Sequence, residues 1–416
     1  MDILFIGGVF TKDQQNEIIQ KSKSVVQFAA NVLQWNIIKG LDACNNQPIS
    51  ILNAIFVGSY PLLYKDLYIK PTKWGHTEGA KDENIGFLNI YGLKRAWIAF
   101  NLANKVVNWA KISTSNKKII IVYSMNTPFI YAAAMAKKIN PNIHLCLIVP
   151  DLPEFMNLSK QEDIIYKLTK RIDRLFMNKF LKYIDSFVLL TKYMANAINV
   201  KNRPWVVIEG MVDPDEIGNN KEDSNRLEHI RKREEKIILY TGALTKAYGI
   251  IKLLKAFTLI SNPSYKLYIC GEGEAKDEII AVAANDNRIR YFGQVNRDSV
   301  LELQRKATIL VNPRPSSEEF TKYSFPSKIM EYMVSGTLVL TTPLPGMPKE
   351  YYDYVYIFED ESVEGMAKTL DRILKLPPEE LYAKGASARE FVLREKNNIV
   401  QAKKIIDMIE RVLREN

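Results

Sequence analysis

The strongest constraint on the fold is a repeated alternation of short apolar runs with longer stretches of helical periodicity. In the first half the apolar runs are Ile3–Ile6, Ile51–Phe56, Ile119–Val122, His144–Val149 and Ser186–Leu190. In the second half they are Ile237–Thr241, Lys266–Cys270, Ile289–Phe292, Thr308–Val311, Thr337–Leu340 and Val355–Phe358. Strands separated by helices form βαβ units, which give parallel sheets covered by helices on both faces. The sequence therefore predicts an α/β protein with two doubly wound, Rossmann-like sheets.

The chain is too long for a single hydrophobic core, because its 416 residues exceed the usual size of one domain. Residues 218–236, GNNKEDSNRLEHIRKREEK, are charged and almost free of large apolar side chains, as expected of a connection. We predict an N-terminal domain over residues 1–205 and a C-terminal domain over residues 206–395. Residues 396–416 are predicted to form a basic amphipathic helix that can cross back to the first domain.

Composition indicates a soluble globular protein, with 47% apolar and 25% charged residues. The net charge of +10 favours an anionic partner, either nucleotide phosphate, lipid headgroups or nucleic acid. No apolar stretch is long enough to span a bilayer, and no leader-like segment follows Met1. We therefore expect a cytoplasmic protein that at most touches the inner face of the cell membrane. The three cysteines are far apart, which favours reduced core thiols over a disulfide or metal site.

The segment Asn312–Glu350 carries the most chemistry, and it reads NPRPSSEEFTKYSFPSKIMEYMVSGTLVLTTPLPGMPKE. It predicts a strand end, a polar loop and a helix that begins at Pro326 and ends at Gly336. Lys328 and Glu331 are three residues apart, so both project from one face near the start of this helix. The unpaired N–H groups of the helix and the charge of Lys328 favour an anion. The carboxylate of Glu331 can accept hydrogen bonds from both hydroxyls of a sugar diol.

This segment resembles the donor-binding motif of the family 4 retaining glycosyltransferases. In that family a glutamate on this helix holds the ribose of a sugar nucleotide, and a glutamate eight positions earlier holds the sugar. The earlier position is Tyr323 here, and the version YSFPSKIMEYMVSG resembles a branch of bacterial surface-polysaccharide enzymes. The resemblance covers most of residues 205–360. It implies the GT-B fold, with two domains facing a cleft.

The resemblance also implies the activity. It is the transfer of a sugar from a nucleotide-diphosphate sugar, a UDP-sugar foremost, to a glycan or lipid-linked glycan acceptor. Glu331 would hold the ribose, and Gly242, which follows a strand, would present backbone amides to the diphosphate. Gly271–Glu274 and Tyr291–Val295 match two further stretches of the family, the second of which contacts the base in relatives.

The family usually places two cations on the diphosphate, at positions that here hold Ala243 and Tyr248. A diphosphate in a largely dry site needs compensating charge. We therefore predict that Arg314 and Lys328 supply it. The alternative is that Arg314 pairs with a neighbouring glutamate, Glu318 or Glu319, while Lys328 extends into solvent.

The contacts with the donor sugar are less well defined by the sequence. Gly7 and Gly8 follow the first strand and permit close approach to a ligand, although a plain turn needs them equally. Many relatives carry a histidine followed by an aspartate after a later strand, and only Asp151 of that pair is present. We take Asp151 and Glu319 as the candidates for the catalytic site. For Glu319 the alternative is a solvated loop residue.

We predict no cofactor and no metal, because no paired-aspartate motif follows an apolar strand of the first half. Asp213 and Asp215 form the pattern D-x-D, but they flank Pro214 and are typical of a turn. The chemistry would then depend on stabilisation of the leaving-group charge in a site that excludes water.

Two further segments have open interpretations. Tyr60–Gly92 is aromatic and irregular, which suits either an acceptor-binding insertion or a mobile surface loop. Lys160–Asp185 is a long basic helical pattern with one apolar stripe. The stripe either packs into the core or adheres to anionic lipid. Its members are Ile165, Leu168, Ile172, Leu175 and Phe176.

Two rival functions fit the same architecture. A sugar-nucleotide epimerase would form product from the donor alone. A non-catalytic sugar-nucleotide-binding protein would bind the donor without transfer, as the missing family residues at Tyr323, Ala243 and Tyr248 suggest. Nucleic-acid binding is disfavoured, because the basic residues are dispersed over helices without an aromatic-basic motif.

Overall fold

The computed structural model describes residues 1–24, 26–112, 114, 116–153, 164–217 and 226–415. The chain forms two compact units. Unit 1 contains Met1–Met211 and the C-terminal segment from Asn398, and unit 2 contains Val212–Asn397. The predicted boundary after residue 205 falls too early, because Trp205–Val207 is a strand of the first sheet, paired with Ser186–Leu189.

Unit 1 is built on an eight-stranded sheet with the strand order β10-β9-β8-β7-β1-β2-β5-β4. All its neighbouring strands are parallel except the edge pair β4 and β5. A separate antiparallel pair joins β3 and β6. The strands are β1 (Asp2–Gly7), β2 (Ser50–Asn53), β3 (Tyr68–Ile69), β4 (Thr72–Trp74), β5 (Asp82–Asn84), β6 (Phe87–Leu88), β7 (Lys118–Tyr123), β8 (His144–Val149), β9 (Ser186–Leu189) and β10 (Trp205–Val207).

The helices of unit 1 include the C-terminal helix of the chain. They are α1 (Lys12–Lys21), α2 (Phe28–Cys44), α3 (Leu93–Lys111), α4 (Thr127–Ile139), α5 (Ile164–Leu181), α6 (Met194–Ala197) and α15 (Asn398–Glu415). Helices α2 and α15 bury Leu41 and Ile405 in one core with β1 and β7. Gly40 makes their close crossing possible, since a Cβ there would lie 2.3 Å from the carbonyl oxygen of Asn398.

Unit 2 is a six-stranded, fully parallel sheet with the order β13-β12-β11-β14-β15-β16. The strands are β11 (Lys236–Thr241), β12 (Tyr265–Cys270), β13 (Ile289–Tyr291), β14 (Ile309–Asn312), β15 (Leu338–Thr341) and β16 (Tyr356–Ile357). The helices are α7 (Pro214–Ile217), α8 (Arg226–Lys232), α9 (Ile250–Thr258), α10 (Lys276–Ala283), α11 (Arg297–Lys306), α12 (Ser327–Val334), α13 (Val363–Leu374) and α14 (Pro378–Glu395). The predicted α/β class with two doubly wound sheets is confirmed.

The strand order of unit 2 reverses between β11 and β14. Parallel α/β sheets bind ligands at such a reversal, beyond the carboxyl ends of the two strands. The residues that follow these ends are Gly242 after β11 and Arg314 after β14. The topology therefore places two of the predicted site residues at the edge of the sheet where a ligand is expected.

The segment Tyr60–Gly92 contains strands β3 to β6 rather than an irregular loop. Its aromatic residue Trp74 packs edge-on against Trp35 of α2. His76 is buried between two carboxylates, with Nδ1 2.7 Å from Asp82 and Nε2 2.7 Å from Asp42. This ion triad ties the segment to α2 and to the sheet.

Helix α5 does not place its predicted apolar stripe in the core. Ile172, Leu175 and Phe176 are exposed, whereas Met177 and Phe180 are buried. Of the two interpretations left open by the sequence, packing in the core is therefore wrong for these three residues. The side chains of Ile165 and Leu168 fall outside those that the structure describes.

The remaining predictions for the first half concern buried groups. His144 is a core residue, as expected, and its Nε2 lies 2.8 Å from the hydroxyl of Ser186. Cys146 and Cys270 are buried free thiols, and Cys44 is a half-buried one. Within the described ranges, no helix is long and apolar enough to cross a membrane.

The ion triad predicts a pH-dependent stability. Burial alone would lower the pKa of His76, but the hydrogen bonds that His76 donates to Asp42 and Asp82 outweigh it and raise the pKa to about 9. Stabilisation is therefore complete below the unfolded pKa of about 6.5 and is lost as the pH rises through 9. We expect the difference in unfolding free energy between the protein and His76→Gln to shrink by about 3 kcal/mol over this range.

The measurement is urea denaturation followed by tryptophan fluorescence, at several pH values from 6 to 10, chosen because Trp35 and Trp74 contact His76. Comparison with His76→Gln cancels titrations elsewhere in the chain. A difference that stays constant across this range would show that the imidazole is not held as a cation.

Candidate functional site

The candidate site begins at the turn after β11. Gly242 has a φ of 126°, and its N–H donates to the carbonyl of Cys270 at 2.8 Å. A Cβ at this position would lie 1.3 Å from Nζ of Lys328. Only glycine therefore leaves room for this lysine to approach the backbone.

Helix α12 is held against the same strand by a buried tyrosine. The hydroxyl of Tyr332 accepts from the backbone N–H of Thr241 at 2.9 Å and lies 3.1 Å from its side-chain hydroxyl. The helix follows Pro326, and no side chain caps its first turn. Its leading N–H groups and the positive end of its dipole are thus left for another acceptor.

Lys328 sits over the ring of Tyr240, with Nζ 4.8 Å from the ring centroid. Its pKa is lowered to about 7, because protein atoms replace water around the ammonium group and the guanidinium of Arg314 repels it. The carboxylate of Glu331 opposes this shift only in part. No ion pair involves Lys328 in the part of the chain that the structure describes.

Arg314 is the second cation of the site. Its guanidinium lies 4.1 Å from the ring centroid of Tyr248 and 5.4 Å from that of Phe320. Nη1 donates to the hydroxyl of Ser324 at 3.4 Å, and Nε is buried without a hydrogen-bond partner. Burial lowers the pKa of Arg314, because it removes water from around the guanidinium.

The sequence left open a pairing of Arg314 with an adjacent glutamate, and the structure contradicts it. Glu318 and Glu319 are exposed, and among the described residues neither forms an ion pair with Arg314. Nor does Lys328 extend into solvent, since it lies against Gly242. The site therefore brings together two cations that form no ion pair with a carboxylate in the described ranges.

Tyr248 gives a physical account of the missing family cation. It occupies a position where the family carries lysine, and here its ring face supports the guanidinium of Arg314. The backbone of Arg314 is fixed as well, because the hydroxyl of Thr342 donates to its carbonyl. The sequence did not predict that an aromatic ring would take the place of a charged side chain here, because no residue close to Tyr248 in the chain indicates its contact with Arg314.

Glu331 lies one turn further along α12 and is exposed. The amide of Gln304, a fully buried residue of α11, donates to Oε1 of Glu331. This hydrogen bond orients the carboxylate and leaves it acceptor capacity for a ligand. Gln304 was not predicted, because a polar residue in an amphipathic helix carries no signal of a distant partner.

The other two candidates for the donor sugar are a residue of unit 2 and a residue of unit 1. Glu319 is an exposed residue of the 3-10 turn Glu319–Lys322, and Tyr323 at its end is half-buried. Asp151 follows β8 in unit 1, and partial burial raises its pKa to about 6. Sugar contact by Asp151 or Glu319 stays a prediction.

Neighbouring side chains occupy the space that a side chain at Gly7 or Gly8 would need. A Cβ on Gly8 would lie 2.2 Å from the ring of Phe56, and one on Gly7 would lie 2.4 Å from Oε1 of Gln34. The N–H of Gly8 already donates to Gln34 at 2.8 Å. Packing thus accounts for both glycines, and the predicted ligand contact gains no support from their geometry.

No group of three or more metal-ligating residues is found among the described residues. The D-x-D pattern is a turn, as expected, because Oδ1 of Asp213 accepts from the N–H of Asp215 at 3.0 Å at the start of α7.

Comparison with known proteins identifies a family whose sequences are similar to that of unit 2. Residues 221–390 match the family described as glycosyl transferases group 1. Unit 2 carries a group 1 glycosyl transferase domain. No curated protein sequence matches the chain.

Solved structures resemble the whole chain at low sequence identity. Sucrose-phosphate synthase from Thermosynechococcus elongatus has a TM-score of 0.66 at 14% identity and covers 100% of both chains. HepE from Anabaena, in complex with UDP, has a TM-score of 0.62 at 11% identity and covers 99% of this chain and 100% of its own. The lipopolysaccharide outer core galactosyltransferase WaaB has a TM-score of 0.62 at 13% identity and covers 99% of both. These similarities show the GT-B fold.

The glycosyl transferase domain should bind diphosphates in a pH-dependent way. Only the ammonium form of Lys328 attracts an anion, and with a pKa of about 7 that form disappears as the pH rises. We expect affinity for inorganic pyrophosphate, relative to Lys328→Arg, to fall about tenfold between pH 6 and pH 9.

The affinity is expressed as a ratio to the affinity of Lys328→Arg, so the ionisation of pyrophosphate itself cancels. The guanidinium of this variant stays charged over the whole pH range. Calorimetry at pH 8 in two buffers of different ionisation enthalpy should also show proton uptake on binding, and Lys328→Met should lack it. Equal pH profiles for the protein and Lys328→Arg would show that Lys328 is not titrating in the site.

Proposed function

We propose that the protein is a retaining glycosyltransferase that transfers a sugar from a nucleotide-diphosphate sugar, a UDP-sugar foremost, to an acceptor. The observation that carries the proposal is the pair of cations, Arg314 and Lys328, beside an uncapped helix start and without an ion pair to any carboxylate that the structure describes. Two poorly solvated positive charges that repel each other are costly unless an anion joins them. A diphosphate supplies that anion.

The same arrangement suits the departure of a nucleoside diphosphate. Negative charge develops on the leaving diphosphate oxygen as the bond to the sugar breaks. Fixed charges and N–H groups aimed at that oxygen stabilise the transition state without reorganising. The anion also restores the charge of Lys328, since a nearby negative group raises the pKa of an ammonium.

Glu331 completes the donor site by accepting hydrogen bonds from the ribose diol. Its carboxylate lies on the exposed side of α12, one turn beyond Lys328, and Gln304 fixes one of its oxygens. A carboxylate that accepts two hydroxyl groups distinguishes ribose from a deoxy sugar. The phosphate and ribose contacts thus follow each other along one helix.

The finer assignments are a glycan or lipid-linked glycan acceptor, a role in bacterial surface-polysaccharide biosynthesis and a cytoplasmic location at the membrane surface. The motif YSFPSKIMEYMVSG supports this branch. The fold shared with WaaB and the UDP bound by HepE agree with it. We also propose that transfer needs neither metal nor cofactor, because Arg314 and Lys328 supply the positive charge.

The test of function is acceptor-dependent release of UDP. The protein is incubated with a panel of UDP-sugars and a lipid-linked glycan acceptor, in excess chelator. We expect UDP release that depends on acceptor and is undiminished by chelator, with the anomeric configuration of the donor kept in the product.

Each rival function predicts a different result. Product formed from donor alone indicates an epimerase, and saturable donor binding without release of UDP indicates a binding protein. Loss of activity in chelator, restored by manganese or magnesium, would refute the metal-independent mechanism.

A binding experiment with two ligands, inorganic pyrophosphate and UDP, distinguishes the roles of the site residues. Arg314→Ala and Lys328→Ala should each weaken both inorganic pyrophosphate and UDP by tenfold or more, about 1.4 kcal/mol. Glu331→Gln should weaken UDP by tenfold or more and leave pyrophosphate unchanged, because it loses only charge-assisted hydrogen bonds to ribose. Lys246→Ala is the matched control, since Lys246 is a nearby cation already paired with Glu278 at 3.2 Å.

Isothermal titration and thermal shift measure these affinities. Glu331 is exposed, so its variant should melt like the parent. If Lys246→Ala weakens pyrophosphate as much as Arg314→Ala does, the phosphate site is centred on α9 and α10 rather than on α12.

A further inference from the structure

Unit 1 exposes an unusual number of large apolar side chains in one short segment. Nine of them, among the described residues, fall between Tyr60 and Phe100, whereas unit 2 exposes three. The nine are Tyr60, Leu62, Leu63, Leu67, Tyr68, Tyr91, Leu93, Trp97 and Phe100. Soluble monomers rarely expose large contiguous apolar surfaces without a binding role.

The first part of helix α3 carries the centre of this surface. Leu93, Trp97 and Phe100 are spaced at four and three residues, so they share one face of the helix. Tyr91, just before the helix, is 72% exposed, and Phe100 is 67% exposed. The opposite face packs into unit 1 through Ile98, Leu102 and Val106, which are buried.

Helix α5 carries a second group of exposed apolar side chains. Arg95 of α3 and Asp173 of α5 form an ion pair that links the two helices. Ile172, Leu175 and Phe176 are exposed on α5 at spacings of three and one, with Leu175 66% exposed. The sequence pattern left open whether these residues pack in the core or face lipid.

The chain around β6 lies beside helix α3. The backbone of Asn89 is bonded on both sides, accepting from Tyr60 and donating to Leu67. The side-chain amide of Asn101 on α3 donates to the carbonyl of Gly86, which ties this region to the helix. We call these exposed side chains together the apolar surface: Tyr91, then Leu93, Trp97 and Phe100 of α3, and Ile172, Leu175 and Phe176 of α5.

Basic residues accompany the exposed apolar side chains on α5 and on the chain before β6. Arg171 and Lys179 are exposed on α5, and Lys65 and Lys70 are exposed before β6. Nearby carboxylates are neutralised, since Asp66 pairs with Lys21 and Asp173 with Arg95. The local charge is therefore positive, in line with the net charge of +10.

We propose that the apolar surface docks on an anionic lipid bilayer, with Trp97, Phe100, Leu175 and Phe176 entering the headgroup layer. Aromatic and aliphatic side chains with a basic border are the pattern of interfacial membrane binding. A second copy of the chain is disfavoured as occupant, because two basic borders would repel each other. The docking uses no residue of the donor site, so it stands independently of the proposed transfer reaction.

The test is sedimentation of the full-length protein with vesicles, without donor or acceptor. One set contains phosphatidylglycerol and phosphatidylcholine, and the other contains phosphatidylcholine alone. We expect binding to the anionic vesicles that weakens at high salt, because screening reduces attraction to the headgroups. Trp97→Ser with Phe100→Ser, and separately Leu175→Ser with Phe176→Ser, should each lower the partition coefficient at least tenfold.

The matched control is Leu259→Ser with Ile280→Ser, which removes two exposed apolar side chains from unit 2. It should bind anionic vesicles like the parent. UDP binding by all variants confirms that they are folded, and it also separates failure of docking from failure of the donor site.

Three results would overturn the proposal. The first is the absence of binding to either vesicle set, and the second is an equal loss in the control variant. The third is a dimer in light scattering that Trp97→Ser with Phe100→Ser dissociates, together with no vesicle binding, because the apolar surface would then join two copies of the chain.

Discussion

The candidate site depends on two positive charges that form no ion pair with a carboxylate in the described part of the chain. Lys328 lies against the backbone of Gly242, and Arg314 lies on the ring of Tyr248. Bringing like charges together in a poorly solvated place is unfavourable, so other parts of the fold must hold them there. The hydroxyl of Tyr332 anchors the helix of one cation to β11, and the sheet reversal brings β14 and Arg314 beside the same strand. A site of this kind is preorganised for a multiply charged anion and is at its least favourable when empty.

The architecture was predictable from the sequence because it follows from local periodicity. Short apolar runs such as Ile237–Thr241 mark buried parallel strands, and their alternation with helices defines the sheet class before any contact is known. Lys328 and Glu331 were predictable for the same reason, since their spacing on a helix fixes their shared face. The boundary of the units was less accurate, because an edge strand such as Trp205–Val207 has only three residues and none of them is fully buried.

The contacts that the sequence did not predict join residues far apart in the chain. Gln304 and Glu331, or Tyr248 and Arg314, meet only through the folding of the whole sheet. The sequence left the environment of the apolar stripe on α5 open for a different reason. An apolar stripe at helical spacing has the same appearance whether it faces a core or the surroundings, and only the packing of Met177 and Phe180 shows which face is inside. Gly7 and Gly8 show a third ambiguity, because a close approach to Phe56 requires glycine as much as a close approach to a ligand does.

The packing of α15 in unit 1 affects the order in which the two units fold during synthesis. Helix α2 is made early, but its partner α15 is made only after the whole of unit 2, and the fully buried residues Ala402, Ile405 and Ile409 complete the core around Leu41. Unit 2 is continuous in sequence, from Val212 to Asn397, and has its own core. The unit whose sequence begins first is therefore the last that can finish folding, and its unfinished core must stay free of aggregation while the whole of unit 2 is translated.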